Sequence, residues 1–71
     1  MSEQLTPRQE LFCREYIIDY NGKQAAARAG YSEKSAETQA ARLLRNDKVL
    51  SRVRELQAEQ VKRLSISADW V

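Results

Sequence analysis

Lys34, Thr38, Arg42 and Arg45 recur at intervals of four, four and three residues, with Ser35 beside the first of them. At about 100° per residue, these side chains fall on or near one side of a helix. Hydroxyls and guanidinium groups gathered there suit hydrogen bonding to phosphates and base edges, because arginine can offer two parallel donors to guanine or anchor a backbone phosphate. For any single Lys or Arg the alternative is a solvated face on an ordinary surface helix. The chemistry is that of recognition. Histidine is absent, Cys13 stands alone and no phosphate-binding loop is present. No catalytic residue, cofactor or common metal site is therefore expected, and no enzyme.

Presenting those groups requires a helix over residues 33–45 whose other stripe is buried. Ala36, Ala40, Leu43 and Leu44 supply that stripe. Before it, Ala25, Ala26 and Ala29 are strong helix formers with little side-chain volume, so a neighbouring backbone can approach closely. Gly30 can close their helix in the left-handed conformation, and Ser32 can cap the next one by accepting from a free backbone N–H. Two helices with a turn of about three or four residues between them form the usual DNA-reading unit. Counted from Gly30, Ala26 and Ala36 match the common spacing, but Gln39 occupies a position that is usually apolar. Leu43 must then do the packing. At the start of the alanine-rich helix, Lys23 and Gln24 follow the capping residue Asn21, where first-turn N–H groups point outward. Both are candidate phosphate contacts, with plain solvent exposure as the alternative for Gln24.

The remaining elements read as supports. Thr6, Pro7 and Gln9 form a helix start with a reciprocal capping box. Phe12, Cys13, Tyr16, Ile17 and Tyr20 then make one broad apolar stripe expected to cover the helical pair. Cys13 reads as a small buried hydrophobe. Leu11 and Ile18 lie on the opposite side, either packed beneath the final helix, which is the favoured reading, or touching another protein. Asn21 and Gly22 end this first helix. Asn46 caps a last helix over residues 47–64, with Asp47 in its first turn, where negative charge is favoured. Val49, Val53, Leu56 and Leu64 share one side of it, with Leu50 and Val61 adjacent, while the half containing Glu59 and Lys62 is thinly apolar and is expected to project. Ser65 to Val71 read as the opening of another helix, so the chain is expected to be the N-terminal part of a longer protein.

The 71 residues, 42% hydrophobic and 31% charged, fit one small globular domain with a modest core. With one proline and two glycines, the expected class is all-α: a compact four-helix domain containing a helix-turn-helix, its last helix long and projecting. The domain is expected over residues 1–64, with 65–71 beginning a linker or an oligomerisation region. A net charge of +2 permits a nucleic-acid patch without demanding one. The N-terminus lacks an apolar signal segment, and no apolar run approaches the ~20 residues of a membrane span. A lone cysteine forms no internal disulfide, which fits a reduced compartment, and with neither signal segment nor span the chain reads as soluble and intracellular.

Leu5 to Gln9, the aromatic residues Phe12 and Tyr16, Ala25 to Ser32, and Arg42 to Asn46 occur in an order that resembles the N-terminal region of bacteriophage terminase small subunits. Asp47 stands where that family often has proline, and both residues suit a first helical turn. The resemblance implies a protein that recognises viral double-stranded DNA at the packaging start site and delivers it to the terminase large subunit, which holds the ATPase and nuclease. It also implies a homo-oligomeric ring in the full-length protein, no membrane partner, and residence in the host bacterial cytoplasm. The DNA-binding set is then Lys23, Gln24, Lys34, Ser35, Thr38, Arg42 and Arg45. Alternatives are a helix-turn-helix transcription regulator, or an interaction module that docks the packaging motor through Leu11, Ile18 and the last helix.

Overall fold

The computed structural model describes the backbone of residues 5–68 and the side chains of residues 5–63. Four helices follow in order: α1 (Pro7–Asp19), α2 (Gly22–Arg28), α3 (Ala36–Leu43) and α4 (Asp47–Ala68), with no strand among the described residues. The fold is all-α, as composition and periodicity predict.

Local signals set most of the boundaries. The Thr6 hydroxyl accepts from the Gln9 N–H at 3.1 Å, and Gln9 Oε1 accepts from the Thr6 N–H at 3.0 Å. This closes the capping box and satisfies two backbone donors at the start of α1. Asn21 Oδ1 accepts from the Gln24 N–H at 3.1 Å, and Asn46 Oδ1 accepts from the Lys48 N–H at 2.9 Å. Each asparagine thereby fixes where the next helix begins. At the other end of α2, Tyr31 N–H donates to Ala26 O at 3.0 Å and Gly30 N–H to Ala27 O at 3.1 Å. These paired bonds close the helix through a left-handed residue, and Gly30 takes φ +105°.

Packing builds inward from α1. Phe12 and Cys13 are fully buried, and Ala25, Ala26, Ala29, Ala36, Ala40, Leu43, Val49, Val53 and Leu56 complete the core. Phe12 and Tyr16 stack with ring centroids 5.7 Å apart, and Tyr16 meets Tyr20 edge-on at 5.4 Å. Burying one such apolar side chain contributes about 1.5–3 kcal/mol, so Phe12 and the front half of α4 dominate. The alanines act by being small. A β-carbon on Gly22 would lie 3.1 Å from Ala40 Cβ, so the start of α2 approaches α3 nearly as closely as backbone allows. The α1–α4 seam is closed by a fork in which Arg52 Nε and Nη2 donate to Glu10 at 2.9–3.2 Å.

Several expectations are corrected. Helix α1 stops at Asp19, and Tyr20 itself adopts the left-handed conformation at φ 56°, leaving it exposed at the edge of the aromatic stripe. Leu11 and Ile18 do not pack beneath α4. They are 39% and 67% exposed, because α4 crosses the Phe12 and Cys13 side of α1 and leaves the opposite side open. The connection between α2 and α3 runs from Ala29 to Ser35, seven residues in place of three or four. After Gly30 and Tyr31 have closed α2, Ser32 opens a separate turn in which its carbonyl accepts from the Ser35 N–H at 3.0 Å. Helix α3 therefore starts at Ala36 and ends at Leu43, shorter at both ends than the 33–45 span. Finally, α4 continues through Ser65 to Ala68, about 33 Å at about 1.5 Å per residue. Beyond Leu56 its described side chains are largely exposed, so the rear half projects from the bundle. Trp70 and Val71, expected within a further helix, lie outside the described residues.

Candidate nucleic-acid interface

Helix α3 buries Ala36, Ala40 and Leu43 against the core. Its outer side is thereby fixed: Glu37, Thr38, Ala41 and Arg42 are exposed, with Lys34 from the preceding turn and Arg45 from the following one also exposed. Leu43 is 6% exposed while Gln39 is half-buried, so the leucine does the packing expected of it. Gly22 and Ala40 hold α2 close behind.

The predicted residues fall into three groups. Thr38 and Arg42 lie on α3 itself, and Lys34 and Arg45 flank its two ends in turns, outside the helix they were expected to share. Ser35 immediately precedes α3 and is half-buried; its hydroxyl donates to Ser32 O at 3.3 Å and makes no cap bond to α3. Lys23 and Gln24 are exposed in the first turn of α2. The Gln24 N–H is already taken by Asn21, which leaves its side-chain amide as the group available to a partner.

Ion pairing divides the basic residues into two sets. Arg14 pairs with Glu10, Arg28 with Glu15 and Asp19, and Arg52 with Glu10 and Glu55. The Glu10 carboxyl is held below the usual carboxylate range, chiefly by its hydrogen bonds from Arg52. Asp19 is also held low, first by the Asn21 N–H and then by Arg28. Among the described residues, no ion pair involves Lys23, Lys34, Arg42 or Arg45. Carboxylates thus neutralise Arg14, Arg28 and Arg52, while the cations around α3, like Arg8 on α1 and Lys48 and Arg54 on α4, keep their donors for an external acceptor. Glu37 and Ala41 belong to the same outer face and were not singled out from the sequence, although the helical period that groups Thr38 with Arg42 also places them there. Ala41 permits close approach, and Glu37 opposes phosphate at one margin.

A family model described as terminase small subunit matches residues 5–71 of this chain. The chain belongs to the terminase small subunit family. Among terminase small subunits, it is 40% identical over 67 residues to the PBSX phage terminase small subunit of Bacillus subtilis (strain 168), covering 94% of this chain and 25% of that one. It is 47% identical over 59 residues to the terminase small subunit of Staphylococcus phage 80alpha, covering 82% of this chain and 40% of the relative. The terminase small subunit of Bacillus phage SPP1 is 40% identical over 67 residues, covering 93% of this chain and 46% of its own length. The chain therefore spans less than half the length of each of these three relatives. No solved structure shows a significant match. The motifs carrying the terminase resemblance coincide with structural devices: the α1 capping box, the Gly30 closure of α2, and the end of α3 leading into the Asn46 cap.

Among the described residues, no helix is long and apolar enough to cross a membrane, and no group of acidic or thiol side chains is arranged to hold a metal ion. The Cys13 thiol is fully buried against Val49 O at 3.7 Å, and burial pushes its pKa up to about 11.

Proposed function

We propose that this chain is the DNA-binding part of a phage terminase small subunit, that it recognises viral DNA where packaging begins, and that it presents that DNA to the large subunit. In this reading α3 enters the major groove, with Thr38 and Arg42 toward base edges, Lys34, Ser35 and Arg45 at the groove margins, and Lys23 with the Gln24 amide on adjacent phosphates. The observation that carries it is the exposed cationic surface around α3, where Lys34, Arg42 and Arg45 make no ion pair among the described residues and Ala36, Ala40 and Leu43 turn the other side of the helix to the core. A single domain contacting a few phosphates binds weakly, nearer the ~10⁻⁴–10⁻⁶ M non-specific range than the nanomolar one. A ring of such domains would raise avidity without improving any one site. The chemistry is binding alone, with the ATPase and nuclease left to the large subunit. The setting is the cytoplasm of the host bacterium.

The test is an NMR titration of the 71-residue chain with duplex DNA at two salt concentrations, with an Arg42→Ala/Arg45→Ala variant alongside. Shifts concentrated at residues 23, 24 and 34–45, weakening with salt and lost in the variant, are expected. A second reading, docking of the packaging motor, draws on the exposure of Leu11 and Ile18. It predicts that the double variant behaves as wild type and that no shifts occur around α3.

A further inference from the structure

We propose that Arg8 is an additional DNA-backbone contact, a phosphate-binding arginine carried from α1 onto the α2–α3 connection by the ring of Tyr31. The proposal rests on the reading of α3 as the DNA-facing helix and extends that surface to an element the sequence pattern did not associate with it.

The guanidinium carbon of Arg8 lies 5.3 Å from the centroid of the Tyr31 ring. Its Nε lies 3.6 Å from where a β-carbon on Gly30 would be, so the side chain crosses from the first turn of α1 to the turn that closes α2. Tyr31 is a firm support. It is half-buried against the core, and its N–H is bonded to Ala26 O at 3.0 Å. Among the described residues, Arg8 has no carboxylate partner, whereas Arg14, Arg28 and Arg52 each have one or two. An arginine stacked on an aromatic face keeps its edge donors free for the fork geometry that phosphate accepts, and it is already ordered before binding. The location is suitable. Lys34 follows Tyr31 by three residues in the same connection, which leads directly into α3. A shallow groove of about 540 Å³, lined by Thr6, Pro7, Arg8, Gln9 and Tyr31, opens to solvent there. Elements flanking a groove-reading helix commonly hold phosphates in this manner, fixing register without reading sequence.

The experiment is fluorescence anisotropy with labelled duplex DNA over a series of salt concentrations, using the 71-residue chain and its Arg8→Ala, Arg8→Lys, Tyr31→Leu and Arg42→Ala/Arg45→Ala variants. Loss of one phosphate contact lowers the slope of log K against log salt by about 0.9, equivalent to roughly 15-fold weaker binding at ~50 mM salt and roughly 4-fold at ~200 mM. Arg8→Ala is expected to show this loss equally on DNAs of unrelated sequence. Arg8→Lys is expected to keep the slope, and Tyr31→Leu to keep the slope while weakening binding several-fold, because the charge remains and its placement is lost. A folded Arg8→Ala variant with the wild-type slope, beside an Arg42→Ala/Arg45→Ala variant that has lost binding, overturns the role of Arg8 and leaves the α3 reading intact. If the α3 double variant also binds as wild type, or the wild type binds no DNA, both fall together.

Discussion

Replacing Gly30 by alanine isolates one contribution that the structure defines well. The residue sits at φ +105°, a conformation that L side chains rarely adopt, and its N–H helps to close α2. Space is not the obstacle, since the nearest atom to an added β-carbon is Arg8 Nε at 3.6 Å, an ordinary contact. The whole cost is therefore backbone conformation, about 1–2 kcal/mol. A domain of 71 residues has a total stability of roughly 4–10 kcal/mol, so this is a substantial share. At about 4–8 °C per kcal/mol for a domain of this size, Tm should fall by roughly 4–16 °C. The assay is circular dichroism at 222 nm during heating, paired with urea unfolding. A lower midpoint with an unchanged m-value is expected, because the surface exposed on unfolding is the same. Asparagine at this position should lie between glycine and alanine, since it tolerates the left-handed region better. A Gly30→Ala variant within about 0.5 kcal/mol of wild type would contradict the reasoning, because surface changes without a special backbone fall in that range.

Three further outcomes follow from the packing and the charges. The Cys13 thiol, with its pKa raised to about 11, favours the native state while protonated. That contribution is full below the ordinary thiol value near 9, fades as pH rises from about 9 to 11, and should appear as a narrowing stability gap between wild type and Cys13→Ala in denaturant titrations across that window. Glu10 behaves oppositely: its lowered pKa gives stability that is present above the ordinary carboxylate value and lost as pH falls through the native one. Glu10→Gln should cost about 1 kcal/mol at neutral pH and converge on wild type in acid, measured by thermal melts against pH. Gly22→Val should destabilise by about 1–3 kcal/mol through overpacking against Ala40, and Ala40→Gly should recover part of that loss in a double-mutant cycle.

What could be read from the chain and what could not divide along the range of the forces involved. Thr6, Asn21 and Asn46 were legible as caps because each accepts from an N–H only two or three residues away. Gly30 was legible because the closing bonds of α2 are also local, spanning three and five residues. Phe12, Cys13, Val49 and Val53 followed from periodicity. The start of α3 did not, because Ser32, read as its cap, instead opens a separate turn that delays the helix to Ala36. The exposure of Leu11 and Ile18 depends on which side of α1 meets α4, which composition does not specify. The candidate interface was readable as a set of residue types, and its helical face agrees with the burial pattern. Its distinction from Arg28 and Arg52 was not readable, since Arg28 finds Glu15 across 13 residues and Arg52 finds Glu10 across 42. Arg8 was hidden for the same reason, its aromatic support lying in another element.

The left-handed backbone of Tyr20 also bears on how the molecule opens. A non-glycine residue there carries about 1–2 kcal/mol of strain, offset by the edge contact with Tyr16 and by the Gln57 side chain donating to the Tyr20 hydroxyl at 3.3 Å. The second of those contacts comes from α4, so it exists only while α4 is docked. The corner between α1 and α2 and the seating of α4 are thus coupled, and they should exchange as one cooperative unit. The Tyr20 amide, bonded to Tyr16 O at 2.7 Å, should acquire deuterium at the rate set by undocking of α4 and not by fraying of the end of α1.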